Sequence, residues 1–118
     1  MDQGWIRIAE LELHERLVRG IEEAAISYEI DAGKGVIFAS SDRPLVMAVL
    51  NGIRDSLYPW YLVRFPTAEQ SERFATRLRS AGLRSVIERQ DSGTWFVLPR
   101  SDKERHESLG AEVTRGSD

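Results

Sequence analysis

Two histidines, His14 and His106, are the only imidazoles in this chain of 118 residues, and it has no cysteine. Without a thiol there is no disulfide scaffold, no thiolate metal site and no cysteine nucleophile. Serine chemistry needs a base held beside the hydroxyl. His14 stands one helical turn after Glu10, the spacing of a surface histidine paired with a carboxylate, and His106 lies in a polar C-terminal stretch. Glu12, Glu15, Glu22 and Glu23 occupy the polar side of a helical pattern and read as a solvated face. Nothing crowds or desolvates them as a catalytic carboxylate requires. "DAGKG" at Asp31–Gly35 is not a phosphate loop, because a strand pattern follows its lysine directly. The expectation is a non-enzymatic protein with no catalytic residue, no metal site and no cofactor. A small enzyme would need residues from a partner subunit.

The aromatic and guanidinium side chains are the better lead. "LYPWY", Leu57 to Tyr61, puts three rings and a proline at the centre of the chain. In "WIRIAEL" and "YLVRF" the alternation sends Ile6, Ile8, Val63 and Phe65 to one side. Trp5, Arg7, Trp60, Leu62 and Arg64 then share the other side, where Trp95 can join them. Such a patch suits burial against the rest of the chain or a second copy, or a grip on another protein, since tryptophan and arginine concentrate interface energy. The alternative is stacking of single-stranded nucleic acid, helped by a basic patch of Arg73, Arg77, Arg79 and Arg84. Against it stand an isoelectric point near 5.4 and the absence of an RNA-recognition signature.

The elements that must position these residues follow from hydrophobic period. A hydrophobic content of 42% and a charged content of 30% describe an ordinary globular domain. Charge is uneven: residues 62–100 carry seven arginines against four acids, whereas residues 1–61 are acidic. No leader pattern and no apolar run of membrane-span length is visible, so a cytoplasmic protein is expected. Leu13, Leu17, Ile21 and Ala24 recur at helical spacing, as do Phe74, Leu78 and Ala81. "ISYEI-DAGKG-VIFA" and "RSVIERQ-DSG-TWFVLP" read as hairpins. "SDRPLVMAVLNGIRDSL" reads as a broadly apolar helix with Pro44 in its first turn.

Residues 5–41 and 62–101 thus look like two copies of one strand–helix–strand–strand unit. With a shift of 57 positions Arg7 meets Arg64, Glu15 meets Glu72, Ile21 meets Leu78 and Ile30 meets Ile87. The expected fold is α+β and ferredoxin-like, ordered β-α-β-β-α-β-α-β-β with a mainly antiparallel sheet. Residues 1–100 form one domain, a helix over 43–57 joins the copies, and 101–118 is a mobile tail.

"LVRGIEEAAISYEIDAGKGVIFASSD" and "FATRLRSAGLRSVIERQDSGTWFVLPRSD" resemble small bacterial βαββ modules, in which a helix ending in "xAGI" leads to a strand, a glycine turn and a strand ending "V-P". The putative signal-transducing protein family and the ring-forming domains of secretion and flagellar base proteins have this look. The second half also resembles peptidoglycan-binding sporulation-related repeats. The chain departs from the pattern at Ala25, where a glycine is expected, and at Ser40 and Ser41, where a proline is expected. The resemblance implies a binding or assembly module and carries no functional residues across. With the Trp/Arg face, the expectation is a regulatory module that engages a protein partner or forms a homodimer and stays off the membrane.

Overall fold

A computed structural model describes residues 2–115. Its elements are β1 (Gln3–Ile8), α1 (Leu11–Glu23), β2 (Tyr28–Ile30), β3 (Val36–Ala39), α2 (Arg43–Leu57), β4 (Trp60–Val63), α3 (Ala68–Ser80), β5 (Val86–Gln90), β6 (Gly93–Pro99) and α4 (Lys103–Thr114). The strands form one antiparallel sheet in the order β2-β3-β1-β5-β6-β4.

Local chemistry accounts for most boundaries. The Thr67 hydroxyl accepts the Gln70 amide at 3.1 Å and caps α3. Helix α3 ends at Gly82, whose φ of 67° lies in the left-handed region. Ala25 holds the corresponding place after α1 at φ 59°, where a Cβ is strained, so the departure from glycine leaves the turn in place. Pro44 lies in the first turn of α2, where its missing N–H is not needed. Asp31 closes the first hairpin by accepting the Gly35 amide at 2.7 Å.

The two pairs of helices lie on opposite faces of the sheet. Ile6, Ile8, Val36 and Phe38 form a core with Leu17 and Ile21 of α1 and Val46, Leu50 and Ile53 of α2. Val86 and Val97 extend that core across β5 and β6. Phe96 and Leu98, the neighbours of Val97, point the other way and pack with Phe74 and Leu78 of α3 and Val113 of α4. There Phe65, Phe74 and Phe96 stack with centroid separations of 4.8 to 6.1 Å.

Two expectations change. The order expected over residues 5–66 puts Trp60–Val63 beside β1, but β5 holds that position and β4 lies at the far edge. The second hairpin is the longer one, and its extension, Glu88–Gln90, is the part that pairs with Ile6–Ile8. The expected tail is also structured: α4 packs on α3 and the sheet, with Val113 and His106 buried. Its apolar stripe is only His106, Leu109 and Val113, but Phe74 and Leu78 need cover on that side, and α4 supplies it. The last three residues of the expected tail lie outside the described range.

Deleting residues 103–118 should therefore lower the melting temperature by more than about 5 °C, roughly 1 kcal/mol for a domain of this size. Differential scanning calorimetry of the truncated chain checks this, and an unchanged midpoint would deny α4 a packing role.

Candidate interaction surface

The Trp/Arg residues do not form one patch. β1 and β4 are separated by β5 and β6, and the two halves of the chain present opposite sheet faces to their helices. Trp5 and Arg7 lie on the face away from α1 and α2. There Trp5 donates its indole N–H to Asp31 at 2.8 Å and seats against Gly35, where any Cβ would collide with the ring. The Gly35 amide and then the Trp5 indole hold the Asp31 carboxyl below the usual range.

Trp60, Leu62, Arg64 and Trp95 lie on the α2 face. The Arg54 guanidinium sits 5.1 Å over the Trp60 ring, and the Trp60 N–H reaches Asp55 at 2.7 Å. Arg64 stacks 4.2 Å over Trp95 and donates to the Ser92 carbonyl at 2.5 Å. The indoles that would stack on bases are thus faced by guanidiniums of their own chain.

The basic patch is likewise divided. Arg77 meets Glu112 at 3.3 Å and Arg73 donates to the Val113 carbonyl at 3.4 Å, both toward the open α3–α4 groove of 940 Å³. Arg84 lies 4.8 Å over the Tyr58 ring. Arg79 turns to the other side of α3 and lines a cavity of 270 Å³ with Arg7 and Arg89.

What the structure does bring together is a free edge. β4 consists of Trp60, Tyr61, Leu62 and Val63, all half-buried, and among the described residues pairs only with β6. The Arg100 amide donates to the Pro59 carbonyl at 2.9 Å, which fixes the alternation of the ladder. Tyr61 and Val63 then bond inward to β6, while the amides and carbonyls of Trp60 and Leu62 point outward. A cavity flanks the strand on each face. One, of 510 Å³, is lined by Asp55, Trp60, Tyr61, Leu62 and Arg100. The other, of 260 Å³, lies between Tyr61, Val63 and Phe65 and the α4 residues His106, Glu107, Gly110 and Thr114.

Three behind-the-edge residues escaped sequence reasoning. Arg54 and Glu88 form a bidentate ion pair at 3.0 and 2.5 Å, with 5% and 1% exposure. Asn51 and Gln90 complete their hydrogen bonds. His106 is buried, its Nδ1 2.8 Å from the Tyr61 hydroxyl and its Nε2 without a hydrogen-bond partner among the described residues. Burial pushes its pKa below 6.5, with Arg105 acting in the same direction and Asp102 against it. Tyr58, which donates to the Val97 carbonyl at 2.8 Å, has its pKa pushed up to about 12 by burial. His14 joins no cluster of metal-ligating side chains among the described residues. No described helix is long and apolar enough to cross a membrane.

Comparison with protein-family models, curated proteins and solved structures gives no match.

Glu88→Gln should cost about 3–5 kcal/mol in urea unfolding, because it leaves Arg54 buried without its counter-charge. Replacing both, as Arg54→Met with Glu88→Leu, should recover most of that loss. For His106 the folded-state pKa is the lower one, so the unfolded chain takes up the proton first. Stability should fall as pH drops through 6.5, and His106→Val should flatten that slope in pH-dependent melting.

Proposed function

We propose that this chain is a non-enzymatic interaction module, a ferredoxin-like tandem of two β-α-β-β-α units that docks a protein through its β4 edge. The observation that carries the reading is the edge itself. Four consecutive half-buried apolar residues carry two outward amides and two outward carbonyls, with a cavity on either side. Edge strands of this kind recruit another strand unless charge, proline or a covering element blocks them. Within β4 there is neither charge nor proline; Pro59 only precedes it. Trp60 and Leu62 supply anchor area on the α2 side, Tyr61 and Val63 on the α4 side. A regulatory role in a cytoplasmic setting is consistent with this architecture.

Single-stranded nucleic acid, the alternative occupant, would have to displace the Arg54 and Arg64 guanidiniums that cover Trp60 and Trp95. Its binding would weaken steeply with salt through counterion release, whereas an apolar edge responds little.

Leu62→Lys places a solvated charge on the edge while its stem still covers the sheet. The variant should keep its melting temperature within a few degrees yet lose the proteins retained by the immobilised chain in quantitative pull-downs. Equal retention by both forms would defeat the reading, and loss of retention with rising salt alone would transfer the edge to nucleic acid.

A further inference from the structure

The cleft between β4 and α4 has a filled counterpart in the same chain. Residues of β4 stand 57 positions after those of β1, and residues of α4 stand 60 after those of α2. Tyr61, Val63 and Phe65 therefore hold the places of Gly4, Ile6 and Ile8, while His106, Glu107, Gly110 and Thr114 hold those of Val46, Met47, Leu50 and Arg54. Beside β1 and against α2 lies β5. The Trp5 carbonyl accepts the Asp91 amide at 3.2 Å, Ile6 and Ile8 face Gln90 and Glu88, and Arg54 clasps Glu88. Beside β4 and against α4 lies the 260 Å³ cavity, and Leu62, in the place of Trp5, turns its carbonyl and amide outward.

We propose that the β4–α4 cleft takes an extended segment of a partner protein as a seventh strand, antiparallel to β4, with large apolar side chains directed under α4. The inference rests on the reading of β4 as the interaction edge and names its occupant. Arg54 recruits a carboxylate, but its counterpart Thr114 spends its hydroxyl on the Gly110 and Ala111 carbonyls at 3.0 and 3.2 Å. Glu107 at the rim repels an anion. Gly110 stands where Leu50 fills the first cleft. A Cβ there would rest in ordinary contact with Phe65 and Phe74, at 3.8 and 3.9 Å, and the longer side chain that would enter the cavity is absent. The guest is therefore apolar where β5 is polar.

A second copy cannot supply that strand in the way β5 does. The counterpart of Glu88–Gln90 is residues 31–33, which sit in the tight turn that Asp31 closes onto Gly35. β2 stops at Ile30 after three residues. We take the guest to be a segment of a different chain; two-fold pairing of the β4 edges of two copies is the self-association that the dimer outcome below tests.

The probe is a capped nonapeptide in which leucine alternates with threonine between terminal lysines, titrated into the isotope-labelled chain and followed by amide chemical shifts. Saturating shifts confined to residues 60–65 and 103–114 are expected at millimolar peptide, with none for a control carrying glutamate in place of leucine. Gly110→Leu, which restores the side chain that Leu50 supplies in the other cleft, should abolish them with no loss of melting temperature. Absence of shifts in the wild type, or undiminished shifts in Gly110→Leu, would overturn the proposal. So would a dimer in sedimentation velocity that Gly110→Leu converts to monomer, since a second copy would then own the cleft. If Leu62→Lys abolishes protein retention while Gly110→Leu leaves it intact, the partner grips the α2 side, and only this inference falls.

Discussion

The pairing of β1 with β5 is the constraint on which the architecture turns. It consists of three register pairs, Ile6 with Gln90, Arg7 with Arg89 and Ile8 with Glu88, between segments some eighty positions apart. Arg54 reaches across from α2 and holds Glu88 from the same face. Buried ion pairs contribute little net stability against a well-packed apolar alternative, but breaking one is costly. Here the pair acts on register. A slip of one residue would turn Glu88 to the opposite face and strand both charges. With β5 placed there, β6 and β4 must follow outward, and β4 becomes the sheet's last strand.

That placement decides how each core is built. α2 covers its own half and reaches Val86 and Val97 of the other, so it spans the join. α3 and α4 close the opposite face with a cluster of three phenylalanines. β6 therefore buries consecutive side chains on both faces, Phe96 and Leu98 on one and Val97 on the other, while β5 buries Val86, Glu88 and Gln90 on the α2 face. β1 keeps the half-buried alternation that makes it legible as a strand, whereas β4, at the edge between α2 and α4, is half-buried at every position.

Period and turn chemistry revealed the order of the first nine elements and the main buried residues of α1 and α3, but not that Ala24, Ala81 and Leu45 are exposed. Leu13, Leu17 and Ile21 were visible, and so was the cap at Thr67. Within each half the phase was also legible: Ile6 and Val63 both face their own helices. What no local pattern carried was the relation between the halves. Nothing near Trp5 or Trp60 records that the two lie on opposite faces, because that follows from a pairing between Ile8 and Glu88. Arg54 looked like an ordinary basic residue in a last helical turn, since its partner lies on β5. α4 escaped because two buried positions, His106 and Val113, in twelve residues make too faint a stripe to stand out from solvated charge.

The two ends of the sheet are chemically unlike, and this gives the molecule a direction. At one end β2 is three residues long, carries the exposed Glu29 and runs at once into a turn cinched by Asp31. At the other, β4 offers an apolar ladder edge. Head-to-tail stacking of copies needs two complementary ends, and an open series of such contacts grows into fibres. On the reading of β4 as the docking edge, the clipped first hairpin offers a second copy no matching long strand, so head-to-tail growth from β4 lacks its complementary end. An exposed edge strand, ordinarily an aggregation hazard, is on that reading denied one route to open-ended growth.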